Sequence, residues 1–285
     1  MSTVVYARRF VSLVKFEHTL FALPFAYSGA ILAEVAVPSA SRLAWITVAM
    51  VGARSLAMSL NRLIDAEIDA RNPRTARREL PAGHLAPGPV WGFAAASLAV
   101  FLVAVWQLPP ITHWLCPIPV AAFVFYPYTK RFTWLCHFIL GASIGISPIG
   151  AWFAVTGRFD ADPFILGAAV ALWIGGFDVL YATADIAIDR AQGLYSIPAR
   201  FGIPAALVTT RAAHLLSVAL LVWLGVVLSL GAPYFLGLAV VAGLLALENA
   251  IVHADDLSRL QTAFFTLNGL ISVVYLAAIL ADVLL

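Results

Sequence analysis

Two short stretches carry carboxylates where an apolar chain would be expected to avoid them. Asn61, Asp65 and Asp69 stand at four-residue intervals, and Tyr181, Asp185 and Asp189 repeat that spacing at a fixed offset further along. Each set closes a long apolar segment. A charged carboxyl at the middle of a bilayer costs about 2.5–3.5 kcal/mol even on lenient insertion scales. Four carboxylates and an amide are hard oxygen ligands, and no thiolate or histidine pair lies near them. Such a set suits Mg²⁺, which keeps several waters and binds one or two carboxylates together with phosphate oxygens. Arg71, Arg74 and Arg78 follow the first set, and Tyr126 and Lys130 end another apolar run. Cationic and phenolic groups beside a carboxylate-bound metal make sense if an anionic phosphate lies between them.

The elements that hold these groups follow from composition. Of 285 residues, 62% are hydrophobic and only 11% charged, against about a quarter charged in soluble domains. The expected fold class is all-α integral membrane, a single domain over residues 1–285, with the lipid bilayer as partner and no nucleic acid. Nine apolar runs are long enough to cross, at about 16–36, 42–63, 90–108, 111–128, 133–155, 164–184, 205–230, 233–252 and 262–284. The first is read as a retained helix, since no cleavage site follows it. Pro24, Pro117, Pro119 and Pro148 fall within runs, which membrane helices tolerate. Gly141, Gly145 and Ser147 are spaced for close helix contact. Cys116 and Cys136 have neither disulfide nor metal-ligand spacing.

Charge then sets the orientation. Lysines and arginines gather at the amino end and in the loops after runs two, four, six and eight, whereas Arg42 and Arg158 are alone on the other side. The positive-inside rule places the amino terminus and both acidic sets on the cytoplasmic face of the cell membrane. Arg54, Met58, Asn61 and Asp65 fall on one helical stripe, as do Asp178, Tyr181, Asp185 and Asp189, if the helices continue through the motifs. Both stripes can then face one cavity.

Asn61-x-x-x-Asp65-x-x-x-Asp69 with Tyr181-x-x-x-Asp185-x-x-x-Asp189 resembles the paired aspartate-rich motifs of the UbiA superfamily of intramembrane prenyltransferases. The resemblance extends to Lys15-Phe-Glu-His-Thr-Leu-Phe-Ala-Leu-Pro24 in the first helix and Arg71-Asn-Pro-Arg-Thr-Ala-Arg-Arg-Glu-Leu-Pro-Ala-Gly83 in the first loop. It also covers Tyr126-Pro-Tyr-Thr-Lys-Arg131 and Gly193-Leu-Tyr-Ser-Ile-Pro-Ala-Arg-Phe-Gly202. The opening, the Gly-Phe-Asp178 element and the last segment look like the 4-hydroxybenzoate polyprenyltransferase-like branch.

What the resemblance implies is a nine-helix bundle around a central cavity. Asp65, Asp69, Asp185 and Asp189 would be catalytic and hold Mg²⁺, and Asn61, Arg74, Arg78, Tyr126, Lys130 and Tyr181 would bind the diphosphate. The substrates implied are a polyprenyl diphosphate and an aromatic acid, in ubiquinone or menaquinone synthesis. Arg54 is expected to meet the acceptor's carboxylate, or else to pair with Asp178 or Glu17. Asp178 is expected to be a cavity residue on the acceptor's side, and His18 could touch substrate. A dihydroxynaphthoate acceptor is the alternative within the branch. A CDP-alcohol phosphotransferase lacks this separation of aspartate pairs, and a cation-coupled transporter would place its carboxylates at mid-membrane.

Overall fold

The computed structural model describes residues 3–14, 19–253, 257, 259–260 and 266–285. Lys15, Glu17 and His18, and with them the expected roles of Glu17 and His18, lie outside the described residues. So do parts of the first and last apolar runs.

Among the described residues the ordered elements are all helical. In chain order they are α1 (Thr3–Val14), α2 (Thr19–Leu32), α3 (Ala40–Ile64), α4 (Ala66–Arg71), α5 (Pro87–Trp106), α6 (Pro110–Leu115) and α7 (Pro117–Thr129). There follow α8 (Cys136–Thr156), α9 (Pro163–Tyr181), a 3₁₀ turn (Ala182–Asp185), α10 (Ile186–Ala191), α11 (Ile197–Val227), α12 (Ala232–Ile251) and α13 (Asn268–Leu284). Six stretches are long and apolar enough to cross a membrane: α3, α5, α8, α9 continued to Ala191, α11 and α12. Large apolar side chains such as Trp106, Leu215 and Val226 point outward from them. This is the surface of a multi-pass membrane protein, whose solvent is lipid.

Two of the expected runs, the fourth and the seventh, take a different form. The fourth is two short helices, because Pro117 starts α7 afresh after Cys116; proline fits a first helical turn, where its missing N–H costs nothing. The described parts of the first and last runs are the apolar helices Ala22–Leu32 and Asn268–Leu284. The seventh begins earlier than expected, since α11 starts at Ile197. Gly202 interrupts it with φ 85°, a left-handed conformation that a side chain would strain.

Close approach is bought with small residues. A Cβ on Gly141 would fall on the carbonyl oxygen of Ala171, and one on Gly145 on that of Gly167, so α8 and α9 pack backbone to backbone. Ser147, expected on the same contact, lines an apolar pocket instead. The largest core cluster joins Phe25, Trp173, Leu224, Tyr234 and Tyr275 from α2, α9, α11, α12 and α13. This packed half backs α9, while α3, α7 and α8 complete the wall of the cavity in front of it.

Candidate active site

The two acidic sets sit at two backbone breaks of one kind. α3 ends at Ile64, and Asp65, at φ −97° and ψ 4°, stands between α3 and α4. In the other half Asp185, at φ −107° and ψ 4°, stands between the 3₁₀ turn and α10. The helices therefore do not run unbroken through the motifs. Each is interrupted at its first aspartate, and the second aspartate of each set lines the same cavity.

All twelve residues expected at the site line one cavity of about 790 Å³: Arg54, Asn61, Asp65, Asp69, Arg74, Arg78, Tyr126, Lys130, Asp178, Tyr181, Asp185 and Asp189. Arg71 does not; it is exposed on the far side of α4.

In the first motif the carboxylates are nearly sealed, Asp65 at 2% exposure and Asp69 at 5%. Asp65 accepts from Asn61 Nδ2 at 2.9 Å and pairs with Lys130 Nζ at 2.8 Å and Arg131 Nη2 at 3.4 Å. Burial pushes its carboxyl above the ordinary range, and the Lys130 ammonium works against that shift. Arg131 also donates to the Ile64 carbonyl at 2.7 Å, satisfying the end of α3. Asp69 accepts from Arg78 Nη1 at 2.7 Å, with the buried Arg62 guanidinium 3.9 Å away. Turn chemistry aims the loop: Thr75 Oγ1 donates to the Asp69 carbonyl, and Asn72 Oδ1 accepts from the Arg74 N–H.

The second motif is more open. Arg74 reaches across from the first loop to Asp185, with Nε 3.0 Å from Oδ1 and Nη2 on Oδ2. Asn72 Nδ2 also donates to Asp185 Oδ1 at 3.0 Å. Arg74 Nη1 donates to Tyr181 Oη at 3.0 Å, and its guanidinium lies 5.0 Å from the centre of the Tyr181 ring. Asp189 accepts from the Ser196 hydroxyl at 2.8 Å. Gln192 Nε2 donates to the Ile68 carbonyl at 3.3 Å, tying the two motifs together again.

Deeper in the cavity the expected Arg54–Asp178 pair does not form. Asp178 Oδ2 instead lies 2.7 Å from His137 Nδ1. Arg54 has a buried Nε without a hydrogen-bond partner and makes no ion pair among the described residues. Arg54 also borders a second, apolar pocket of about 300 Å³ between α3, α5, α7 and α8, lined by Met50, Ala53, Phe101, Phe123 and Ile144. The two spaces share Arg54, Ala57, Phe123, Ser143 and Ile144, so they meet at Arg54.

Spacing along the chain left out His137, Asn72, Arg62, Arg131, Ser196 and Gln192. Each acts on a carboxylate or backbone group that the fold brings to it. The one available signal was His137 itself, a lone polar residue opening an apolar run.

Carboxylates in two pairs, already matched to basic groups, are a donor set that fits a hard cation whose other ligands are waters and phosphate oxygens. Among the described residues no three His, Cys, Asp or Glu side chains converge as an all-protein cage would require.

Comparison with known proteins agrees with this picture. The UbiA prenyltransferase family profile matches residues 22–270. The 4-hydroxybenzoate octaprenyltransferase of Cupriavidus necator is 31% identical over 230 residues, covering 80% of each chain. The apo structure of a UbiA homologue from Aeropyrum pernix K1 superposes with a TM-score of 0.86 at 34% identity, over 93% of this chain and 98% of the other. A UbiA homologue from Archaeoglobus fulgidus, solved bound to DMAPP and Mg²⁺, shares the fold with a TM-score of 0.73 at 17% identity, over 97% of this chain and 99% of the other.

Proposed function

The chain belongs to the UbiA prenyltransferase family, and we propose that it transfers a polyprenyl group from a polyprenyl diphosphate to a 4-hydroxybenzoate-like aromatic acid in quinone biosynthesis. The observation that carries this reading is the continuity of two spaces. A polar cavity walled by both acidic motifs meets an apolar pocket at Arg54, which makes no ion pair among the described residues. A substrate with a diphosphate head, an apolar tail and an anionic aromatic partner matches that sequence of surfaces.

In this reading Asp65, Asp69, Asp185 and Asp189 would hold Mg²⁺, which neutralises charge gathering on the departing diphosphate. Arg74, Arg78 and Lys130, which now rest on those carboxylates, would turn to the diphosphate oxygens, with Asn61, Tyr126 and Tyr181 completing its contacts. Arg54 would take the acceptor's carboxylate, and its lack of an ion pair among the described residues supports that role. The apolar wall keeps water from the allylic cation that forms when the donor's C–O bond breaks. The aromatic ring attacks it at the carbon beside its hydroxyl, and loss of a ring proton restores aromaticity.

The membrane reading is extended in the same way. We take α2, the α6–α7 pair and α13 as the remaining crossings of a nine-span bundle in the cell (inner) membrane. The motifs then face the cytoplasm, where the arginines and lysines cluster.

The test is purified protein in detergent with Mg²⁺, a labelled prenyl diphosphate and a panel of benzoic and dihydroxynaphthoic acids. Labelled prenyl-benzoate as the main product is expected. Product only with naphthoate would move the acceptor assignment, and no product with any aromatic acid would remove it.

A further inference from the structure

One polar pair in the cavity has no part in holding diphosphate. Asp178, on α9, lies two helical turns deeper than Asp185 and is 27% exposed on its side chain, toward the cavity it lines. His137, on α8, is 4% exposed and sits behind it, Nδ1 to Oδ2 at 2.7 Å. The other ring nitrogen, Nε2, receives the backbone N–H of Ile197 at 3.3 Å. A backbone N–H can only donate, so Nε2 presents a lone pair and the ring proton lies on Nδ1. Asp178 therefore accepts from His137, and its Oδ1 is left as an acceptor directed at the cavity.

The four motif carboxylates are already engaged. Asp65 carries Lys130, Asp69 carries Arg78, Asp185 carries Arg74, and Asp189 carries the Ser196 hydroxyl. Arg54 and Asp178 remain as a cation and an acceptor lining the same cavity below them. An aromatic ring with a carboxylate and a hydroxyl needs that pair of partners.

We propose that Asp178 takes the proton of the acceptor's ring hydroxyl during transfer, and that His137 is the positioning residue that aims its carboxylate. The proposal rests on the acceptor reading above. As the donor's C–O bond breaks and the ring carbon beside the hydroxyl bonds to the allylic carbon, the hydroxyl proton passes to Asp178 Oδ1. The O–H electron pair becomes the second bond of a ring carbonyl, giving a neutral dienone and free diphosphate. The ring carbon then loses its own proton to a diphosphate oxygen, and Asp178 returns its proton to the carbonyl oxygen. The products are the prenylated hydroxy acid and protonated diphosphate, with Asp178 ionised again.

Ile197 adds a structural link. It follows Ser196, whose hydroxyl holds Asp189, so His137 fixes one residue and the next fixes a carboxylate of the second motif. A purely structural role for His137 would act through Asp189 and the donor. The proposed role acts through the acceptor.

The test uses the full chain with Mg²⁺, a prenyl diphosphate and 4-hydroxybenzoate, and measures donor binding, acceptor-independent donor hydrolysis and transfer separately. Asp178→Asn is expected to keep donor affinity and hydrolysis and to lose transfer on the order of 100-fold. His137→Gln, whose amide can both donate to Asp178 and accept from Ile197, is expected to stay close to wild type. His137→Leu should lose kcat on the order of 10- to 100-fold with the donor KM unchanged. Wild type offered 4-methoxybenzoate, which has no hydroxyl proton, should fall to the level of Asp178→Asn. That arm needs no variant to fold. Transfer by Asp178→Asn at the wild-type rate, loss of donor binding in that variant, or rapid prenylation of the methoxy acid would each overturn the proposal. A wild-type protein that transfers to no hydroxy acid would remove the acceptor reading and this proposal with it.

Discussion

The two aspartate motifs share spacing and backbone geometry but differ in how their charge is met. Asp65 and Asp69 are almost closed off and face Lys130, Arg131, Arg78 and Arg62. Asp185 and Asp189 are half-buried; one meets a single arginine borrowed from the other half and the other meets a serine hydroxyl. Removing charge from water is costly unless it is paired, so the first motif is a permanent part of the folded structure. In the second, Asp185 has Arg74 but Asp189 has only the Ser196 hydroxyl, which leaves negative charge at the cavity, and the proposed reading gives that charge to a cation. A duplicated spacing is met in two ways: the first motif is closed over by paired cations, and the second is left more open.

The largest expected effect tests what the motifs share. Asp65→Ala and Asp185→Ala should each lower prenyl transfer on the order of 10³-fold, measured with labelled donor. Near-normal turnover in either would break the pairing.

The next effect separates them. Asp69→Ala strands the buried Arg62 beside Arg78 and should cost about 3–5 kcal/mol, read as a lowered unfolding midpoint in detergent. Asp189→Ala removes only a partner of Ser196 and should change stability by about 1 kcal/mol or less. Equal losses would erase the distinction between anchor and open site. Arg74→Lys probes the bridge between the halves. A lysine can replace the charge on Asp185 but not the forked contact that also reaches Tyr181, so donor affinity should fall on the order of tenfold, by calorimetry. An effect as small as that of Asp189→Ala is expected for Gln192→Ala, which deletes one hydrogen bond to the Ile68 carbonyl and should cost about 1 kcal/mol in the same unfolding assay.

The positions of the helices were legible because apolar runs in a bilayer are governed by length and composition. The twelve site residues were legible as a group because charge is rare in such a chain and stands out. The details that failed depend on neighbours distant in sequence. An Asn-x-x-x-Asp spacing fits an unbroken helix as well as one that is interrupted at Asp65, so the interruption could not be read. Arg54 and Asp178 line one cavity and have opposite charge, yet His137, 41 positions before Asp178, takes the aspartate. The fourth run had the right composition, but Pro117 restarts the helix after Cys116. Which cations compensate which carboxylates is set by helix packing, and that contrast between the motifs was invisible until the fold placed them.

The central claim is that both motifs complete one site for a metal-bound diphosphate. Its most direct test is calorimetric titration of a short prenyl diphosphate into wild type, Asp65→Ala and Asp185→Ala, with Mg²⁺ and with chelator. Binding is expected only for wild type and only with Mg²⁺. Wild-type binding indifferent to chelator, or a variant that binds as wild type does, would contradict the claim.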